Sequence, residues 1–198
     1  IYAGLGNKIA SYFKSDKFTS YPNTININRT NLENPGPVVD KKIQNNKSIN
    51  NKEIIIGVQG GSQGSEEINS IIYKYLTNNT LKNIKIIHIV GPNNFDNSKK
   101  FENYEQIEFI KNMSDFYSSI DLQVSRAGGG VLEAVLLNIP LLLIPYMHGT
   151  TSTHQLMNAE YLVKSKFAKL CSNYESLEYK FKKLEQLDHS LFEEFSKN

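Results

Sequence analysis

Tryptophan is absent from this chain, cysteine occurs once, and neither sign of charge dominates. A lone Cys171 excludes an internal disulfide framework and fits a reducing compartment. With 22 Lys+Arg against 20 Asp+Glu the net charge is +2, which makes no case for a nucleic-acid partner and favours a small molecule. Long apolar runs are missing as well. The longest, Ile139 to Met147, carries Pro140 and Pro145 and is much shorter than the roughly 20 residues of a membrane helix. No His or Cys pair has metal-site spacing, so no metal is expected. The opening Ile1-Tyr2-Ala3-Gly4 has neither an initiator methionine nor the cationic-then-apolar layout of a secretion signal. It reads as an interior start, and the expected location is the cytoplasm.

What is present, over 198 residues, is enough for one α/β domain and a partial extension. Leu5 to Lys14 has helical spacing, with Leu5, Ile9, Tyr12 and Phe13 on one side, and Lys17 to Ser20 reads as a short strand. From Asn23 to Lys52 the chain is Asn- and Lys-rich and contains Asn34-Pro35-Gly36-Pro37, the turn chemistry of a connection. A boundary is expected near Gln44, dividing the chain into 1–43, 44–174 and 175–198. Beyond it, strand and helix signals alternate: strand Glu53 to Val58, helix Gly64 to Leu76, strands Ile84 to Val90 and Gln106 to Phe109, then helix Ser114 to Ser119. Strand Asp121 to Val124, helix Val131 to Leu137, strand Pro140 to Pro145, helix Thr153 to Lys164 and strand Phe167 to Leu170 follow. The tail from Glu175 to Asn198 reads as helical, with Leu177, Phe181, Leu184 and Leu187 inward. Such alternation predicts a Rossmann-like parallel sheet flanked by helices, because parallel strands need crossover connections.

Two glycine-rich turns fall where a strand hands over to a helix. The first is Gly60-Gly61-Ser62-Gln63-Gly64-Ser65 and the second Arg126-Ala127-Gly128-Gly129-Gly130. Both are placed to expose helix N-terminal amides, which attract phosphate or carboxylate. Neither has the G-x-G-x-x-G frame with an acidic residue about 20 positions on that a dinucleotide site needs, and no Walker loop is present. Glycine after a strand is equally explained as a tight bend. Glu133 is the only charge between Ala127 and Pro145; it either complements the dipole of its helix or accepts hydroxyls from a ribose. At the start of a later helix, His154, Gln155 and Asn158 carry donors and acceptors suited to a sugar ring, Gln155 and Asn158 sharing a face. The plainer reading there is capping by Thr153 and polar exposure. His88, inside a strand, reads as a core residue.

Five blocks, in order and at matching spacing, resemble one family. They are Gly60-Gly61-Ser62-Gln63-Gly64, Phe109-Ile110-Lys111-Asn112-Met113, Ser125-Arg126-Ala127-Gly128, Glu133 with Pro140 after it, and His154-Gln155-x-x-Asn158-Ala159. The family is MurG, the bacterial GlcNAc transferases of lipid II synthesis, and about residues 53 to 170 of this chain resemble its C-terminal, donor-binding half. The resemblance implies the C-terminal domain of a GT-B fold, with residues 1–43 as the end of the other domain and the interdomain linker. It implies UDP-GlcNAc as donor substrate, no cofactor, and inverting transfer to lipid I, with helix dipoles stabilising the leaving UDP without a metal. By matching position, Ser62 and Gln63 would meet the diphosphate and Ile110 the uracil. Gly128, Gly129, Gly130, Val131 and Leu132 would give amides to phosphates and sugar, Glu133 would hold the ribose, and Gln155, His154 and Asn158 the GlcNAc hydroxyls.

The same resemblance places the catalytic base, the acceptor site and the membrane-docking patch before Ile1, so no catalytic residue is named and membrane contact is expected only through that half. Two departures are expected to weaken donor binding: one residue fewer between Arg126 and Glu133, and Val39 where the family carries arginine. The alternatives are a degenerate nucleotide-sugar-binding module, or the donor subunit of a split transferase with another lipid acceptor.

Overall fold

The computed structural model describes residues 3, 5–14, 16–21, 24–36, 39, 43, 53–146, 152–187 and 192. The expected boundary near Gln44, and the tail of the chain from 188 onward save Phe192, lie outside them. Along the chain come α1 (Leu5–Ala10), β1 (Lys17–Phe18), β2 (Leu32–Glu33), β3 (Ile54–Gln59), α2 (Glu66–Asn78), β4 (Ile84–Ile89) and β5 (Tyr104–Ile107). Then follow α3 (Met113–Ser119), β6 (Leu122–Ser125), α4 (Val131–Leu136), β7 (Leu141–Leu143), α5 (Ser152–Lys164), β8 (Ala168–Leu170) and α6 (Tyr174–Leu184).

Six strands form one parallel sheet in the order β5-β4-β3-β6-β7-β8. Numbered within the domain this is 3-2-1-4-5-6, the order of dinucleotide-binding folds, here without their glycine fingerprint. The central strands are covered on two sides, as a parallel sheet requires: Ile54, Ile56 and Val58 of β3 with Ile84 and Ile86 of β4 are fully buried on one face, and Ile87 and Ile89 of β4 are buried on the other. On one side they pack against Ile68, Ile72 and Tyr75 of α2 and Leu177 and Phe181 of α6. The other side is covered by Phe116, Tyr117, Ala134, Ala159 and Leu162 from α3, α4 and α5. Leu177, Phe181 and Leu184 of α6 face inward as expected, and Leu187 packs against the same cluster.

Asparagine does the work of turn residue in this fold. Among the described residues, six of the seven non-glycine residues at positive φ are asparagines, including Asn83 before β4, Asn103 before β5 and Asn138 between α4 and β7. Its short amide makes the left-handed region less costly than for other side chains. Asn112 and Asn173 cap α3 and α6 by accepting from Ser114 N–H and Ser176 N–H.

Asp121 begins no strand. Its N–H donates to Ile55 O at 2.7 Å while its Oδ2 accepts from Ile55 N–H at 2.6 Å, so the side chain extends the ladder to β3. Asp121→Ala is therefore expected to destabilise the fold by about 1.5–3 kcal/mol, the worth of a hydrogen bond to a charged group, read from the urea midpoint.

Two expectations need correction. The edge strand β5 runs Tyr104–Ile107, two residues earlier than Gln106 to Phe109, because Tyr104 packs its ring against His88, Tyr73 and Phe101. Phe109, read as its last residue, is 62% exposed. Near the N-terminus the helix stops at Ala10, and Ile9, Tyr12 and Phe13 are exposed rather than buried on a common face. This segment instead meets the sheet domain through Tyr21, whose ring packs edge-on against Tyr161 of α5 at 5.6 Å.

Candidate functional site

Gln59 and Ser125 are register partners at the carboxyl ends of β3 and β6. The two glycine turns therefore start side by side, at the point where the sheet's strand order reverses. Open α/β sheets bind ligands there.

The first turn is packed from within. Gly64 has φ +78°, and a Cβ on it would strike the carbonyl of Val90, next to Gly91 at φ +93°. Only glycine fits such a contact. Ser65 then caps α2, its Oγ accepting from Ile68 N–H at 3.3 Å, and Glu66 and Glu67 occupy the first turn. This corrects the expectation of an open helix end: a side-chain cap and two carboxylates already complement the dipole, and they disfavour a second anion at that point.

The second turn differs. Gly130 caps α4 with no side-chain hydrogen bond. A Cβ on Gly128, Gly129 or Gly130 would meet nothing within 4 Å, and none of the three has positive φ. No steric demand among the described residues calls for glycine here. Gly128, Gly129 and Leu132 border a hollow of about 450 Å³, whose other wall is the N-terminal segment with Asn7, Ser11, Lys17, Thr19 and Tyr21. Burial pushes the Tyr21 phenol up to about 12. Asn158, on the floor, donates from Nδ2 to Ala127 O at 3.1 Å, and its Oδ1 is buried without a partner among the described residues.

Glu133 is half-buried and has an internal partner: Tyr117 Oη donates to its Oε2 at 2.6 Å. The Tyr117 ring is fully buried, and burial together with the adjacent carboxylate raises the phenol above its ordinary value.

Between the turns lies Arg126. Its Nη2 donates to Ser65 Oγ at 2.8 Å and to Glu67 Oε2 at 2.6 Å, and its Nη1 to Ile144 O at 3.1 Å. The guanidinium also covers the Tyr146 ring, 5.2 Å from its centroid. A second hollow of about 450 Å³ is bordered by Gly60, Ser65, Arg126, Tyr146 and Gln155. Here Gln155 Oε1 accepts from Tyr146 N–H at 3.0 Å, which steadies the chain after β7. The two turns thus border separate hollows, Gly60, Gly64 and Ser65 lining one and Gly128 and Gly129 the other.

Of the remaining expected residues, Ser62 and Gln63 are exposed at the tip of the first turn. Ile110 packs against the core, Val131 is buried, and His154 is half-buried in the first turn of α5. None of these lines either hollow. Helix α5 starts at Ser152, so Thr153 lies inside its first turn and is not its cap. Arg126, Glu67, Tyr117 and Tyr146 are the site residues that sequence reasoning passed over. Arg126 stood inside a recognised block, but its partner Glu67 is 59 positions away and nothing in the sequence pairs them.

Residues 55–198 match the family model described as the Glycosyltransferase family 28 C-terminal domain. The chain belongs to that family. Its curated relatives include the UDP-N-acetylglucosamine–N-acetylmuramyl-(pentapeptide) pyrophosphoryl-undecaprenol N-acetylglucosamine transferase of Oceanobacillus iheyensis. That relative is 32% identical over 187 residues, covering 88% of this chain and 52% of the relative. The enzyme of the same name from Staphylococcus aureus is 30% identical over 177 residues, covering 84% and 49%. The chain spans about half the length of the curated relatives it matches.

Among solved structures it is similar to the kitacinnamycin glycotransferase (TM-score 0.60, 16% identity, 85% of this chain and 44% of that one). MurG of Acinetobacter baumannii is likewise similar (TM-score 0.58, 24% identity, 74% and 45%). These likenesses establish the fold, a parallel Rossmann-like sheet matching the C-terminal domain of GT-B glycosyltransferases. No helix among the described residues is long and apolar enough to cross a membrane.

Proposed function

We propose that this chain is the donor-binding half of a GlcNAc transferase that converts lipid I to lipid II, and that its ligand is UDP-GlcNAc. The observation that carries the reading is the second glycine turn. Gly128 to Gly130 fill no internal space and bend at no positive φ, and they lie open at the reversal point of the sheet. Bare backbone in that place suits a diphosphate, which amides can approach closely only where side chains are absent.

In this reading the amides from Gly128 to Leu132 hold the diphosphate and Glu133 the ribose; Ser62 and Gln63, exposed at the tip of the first turn and bordering neither hollow, are assigned to the diphosphate by the family resemblance alone. Ile110 meets the uracil through its backbone. Gln155 uses its Nε2, since its carbonyl is engaged by Tyr146, and with His154 and Asn158 reads the sugar hydroxyls. Lipid I, the catalytic base and contact with the inner face of the membrane belong to the half of the relatives that this chain does not span. The divisions 1–43 and 44–174 then correspond to the end of the acceptor domain with its linker and to the donor domain; of the expected helical tail 175–198, the described helix α6 ends at Leu184.

One observation favours a second reading, a nucleotide-sugar-binding module with weakened grip. Glu66 and Glu67 stand at the first turn of α2, and Glu67 pairs with Arg126, the cation of the second turn.

Calorimetric titration decides between these. UDP-GlcNAc is expected to bind at least about tenfold, or 1.4 kcal/mol, more tightly than NAD, with no transfer to lipid I by this chain alone. Tighter NAD binding, or turnover of lipid I without another protein, would overturn the proposal. Binding too weak to titrate would favour the second reading.

A further inference from the structure

We infer that Tyr117 is the positioning residue for Glu133: its buried hydroxyl engages one carboxylate oxygen and so fixes the other as an acceptor for the vicinal hydroxyls of a ribose. The inference rests on the nucleotide reading above and adds a residue to it. Tyr117 is fully buried on α3, so it cannot touch a ligand itself. Its hydroxyl lies 2.6 Å from Glu133 Oε2, the length of a charge-assisted O–H···O⁻ bond, and 3.4 Å from Gly130 O. One phenol therefore reaches both the last glycine of the turn and the acid that follows it. Gln59, the last residue of β3, has its Nε2 buried without a hydrogen-bond partner among the described residues. The ring is wedged beside Phe116, with centroids 5.7 Å apart. Three elements, α3, the second turn and α4, are in this way referred to a single oxygen atom. A carboxylate on a helix of six residues would otherwise swing between rotamers. Held at Oε2, it presents Oε1 in one direction.

The chemistry makes the roles separable. A phenol that donates to Glu133 would also donate to the carbonyl of a glutamine at that position. Glu133→Gln would then turn its NH₂ outward and offer a donor where the ribose needs an acceptor.

The experiment titrates the full chain with UDP and with 2′,3′-dideoxy-UDP, and records the melting temperature and near-UV spectrum of each variant. The parent is expected to prefer UDP. Tyr117→Phe is expected to weaken UDP about tenfold and to change the dideoxy nucleotide by less than about twofold, so that the preference collapses. Glu133→Gln is expected to abolish the preference. The double variant is expected to regain part of it, because the amide is then free to turn its carbonyl outward. Parallel weakening of both nucleotides by Tyr117→Phe would mark a merely structural tyrosine and overturn the inference, as would an undiminished preference. If Tyr117→Phe does not fold, Glu133→Gln decides alone, and full retention of the preference there overturns it. A parent that binds neither nucleotide would instead sink the nucleotide reading, and this inference with it.

Discussion

Gly64→Ala is expected to destabilise the fold by about 2–6 kcal/mol, while the same substitution at Gly129 leaves the melting temperature close to that of the parent. The two glycines sit in equivalent turns after neighbouring strands, yet they answer to different demands. At Gly64 the backbone is left-handed and the missing Cβ is what lets the turn after β3 rest on the Val90 carbonyl and on Gly91. A methyl group there incurs backbone strain of about 1–3 kcal/mol and overpacking of about the same size. In a chain of this length that corresponds to a melting point lower by roughly 5–20 °C. At Gly129 a methyl group meets open space and an ordinary φ, and restricting the unfolded chain offsets any small loss. The deficit appears elsewhere: on the proposed donor reading, Gly129→Ala is expected to weaken UDP-GlcNAc at least about tenfold, since that reading has the diphosphate approach the backbone where the methyl would stand. Scanning calorimetry and titration of both variants check this. An unchanged melting point for Gly64→Ala, or a large drop for Gly129→Ala, would reverse the assignment of the two turns.

Stability is expected to fall as the pH drops from about 6.5 towards 3, and His88→Gln to flatten that fall. His88 is fully buried, with Nδ1 3.1 Å from Tyr104 Oη and Nε2 3.0 Å from Asn69 Oδ1. Desolvation lowers its pKa to about 3, against about 6.5 in the unfolded chain. Between those values the unfolded chain binds a proton that the folded chain refuses. Its contribution to stability is therefore complete above about 6.5 and is lost progressively as the pH falls through that window, by up to about 1.4 kcal/mol per pH unit. The acids with lowered pKa, Asp96 and Glu178, act in the same direction, but they are common to parent and variant, so the difference between the two isolates the imidazole. Urea midpoints from pH 7.5 to 4.5 measure it, and parallel curves would show that His88 is protonated in the native state without cost.

The sheet was legible because its signals are local. Apolar runs such as Ile54 to Val58 and the helical spacing of Ile68, Ile72 and Tyr75 depend on the residues themselves, and their order alone demands parallel crossovers. Edge and extension were harder to read. Strand β5 is displaced because Tyr104 is anchored by His88, an aromatic contact across 16 positions, and edge strands carry little apolar pattern to fix their register. Ile9, Tyr12 and Phe13 have the spacing of a buried face, but spacing cannot say whether a partner surface is there to receive it.

For the site, glycine content revealed where the backbone is bare and could not distinguish the turn that packs on itself from the one that stays open. That distinction rests on φ and on Val90. Likewise Glu133 was conspicuous as an isolated charge, while its partner Tyr117 stood 16 positions earlier in an unremarkable helix.

Because all six strands of the sheet run the same way, both hollows lie beyond one set of strand ends, and the loops that enter the strands gather at the far rim. Thr80 and Lys82, both exposed in the loop leading into β4, belong to that rim. A dye, a tether to a sensor chip or a fused reporter attached there would leave the glycine turns unobstructed, so the molecule can be immobilised from behind with its working edge towards the solution.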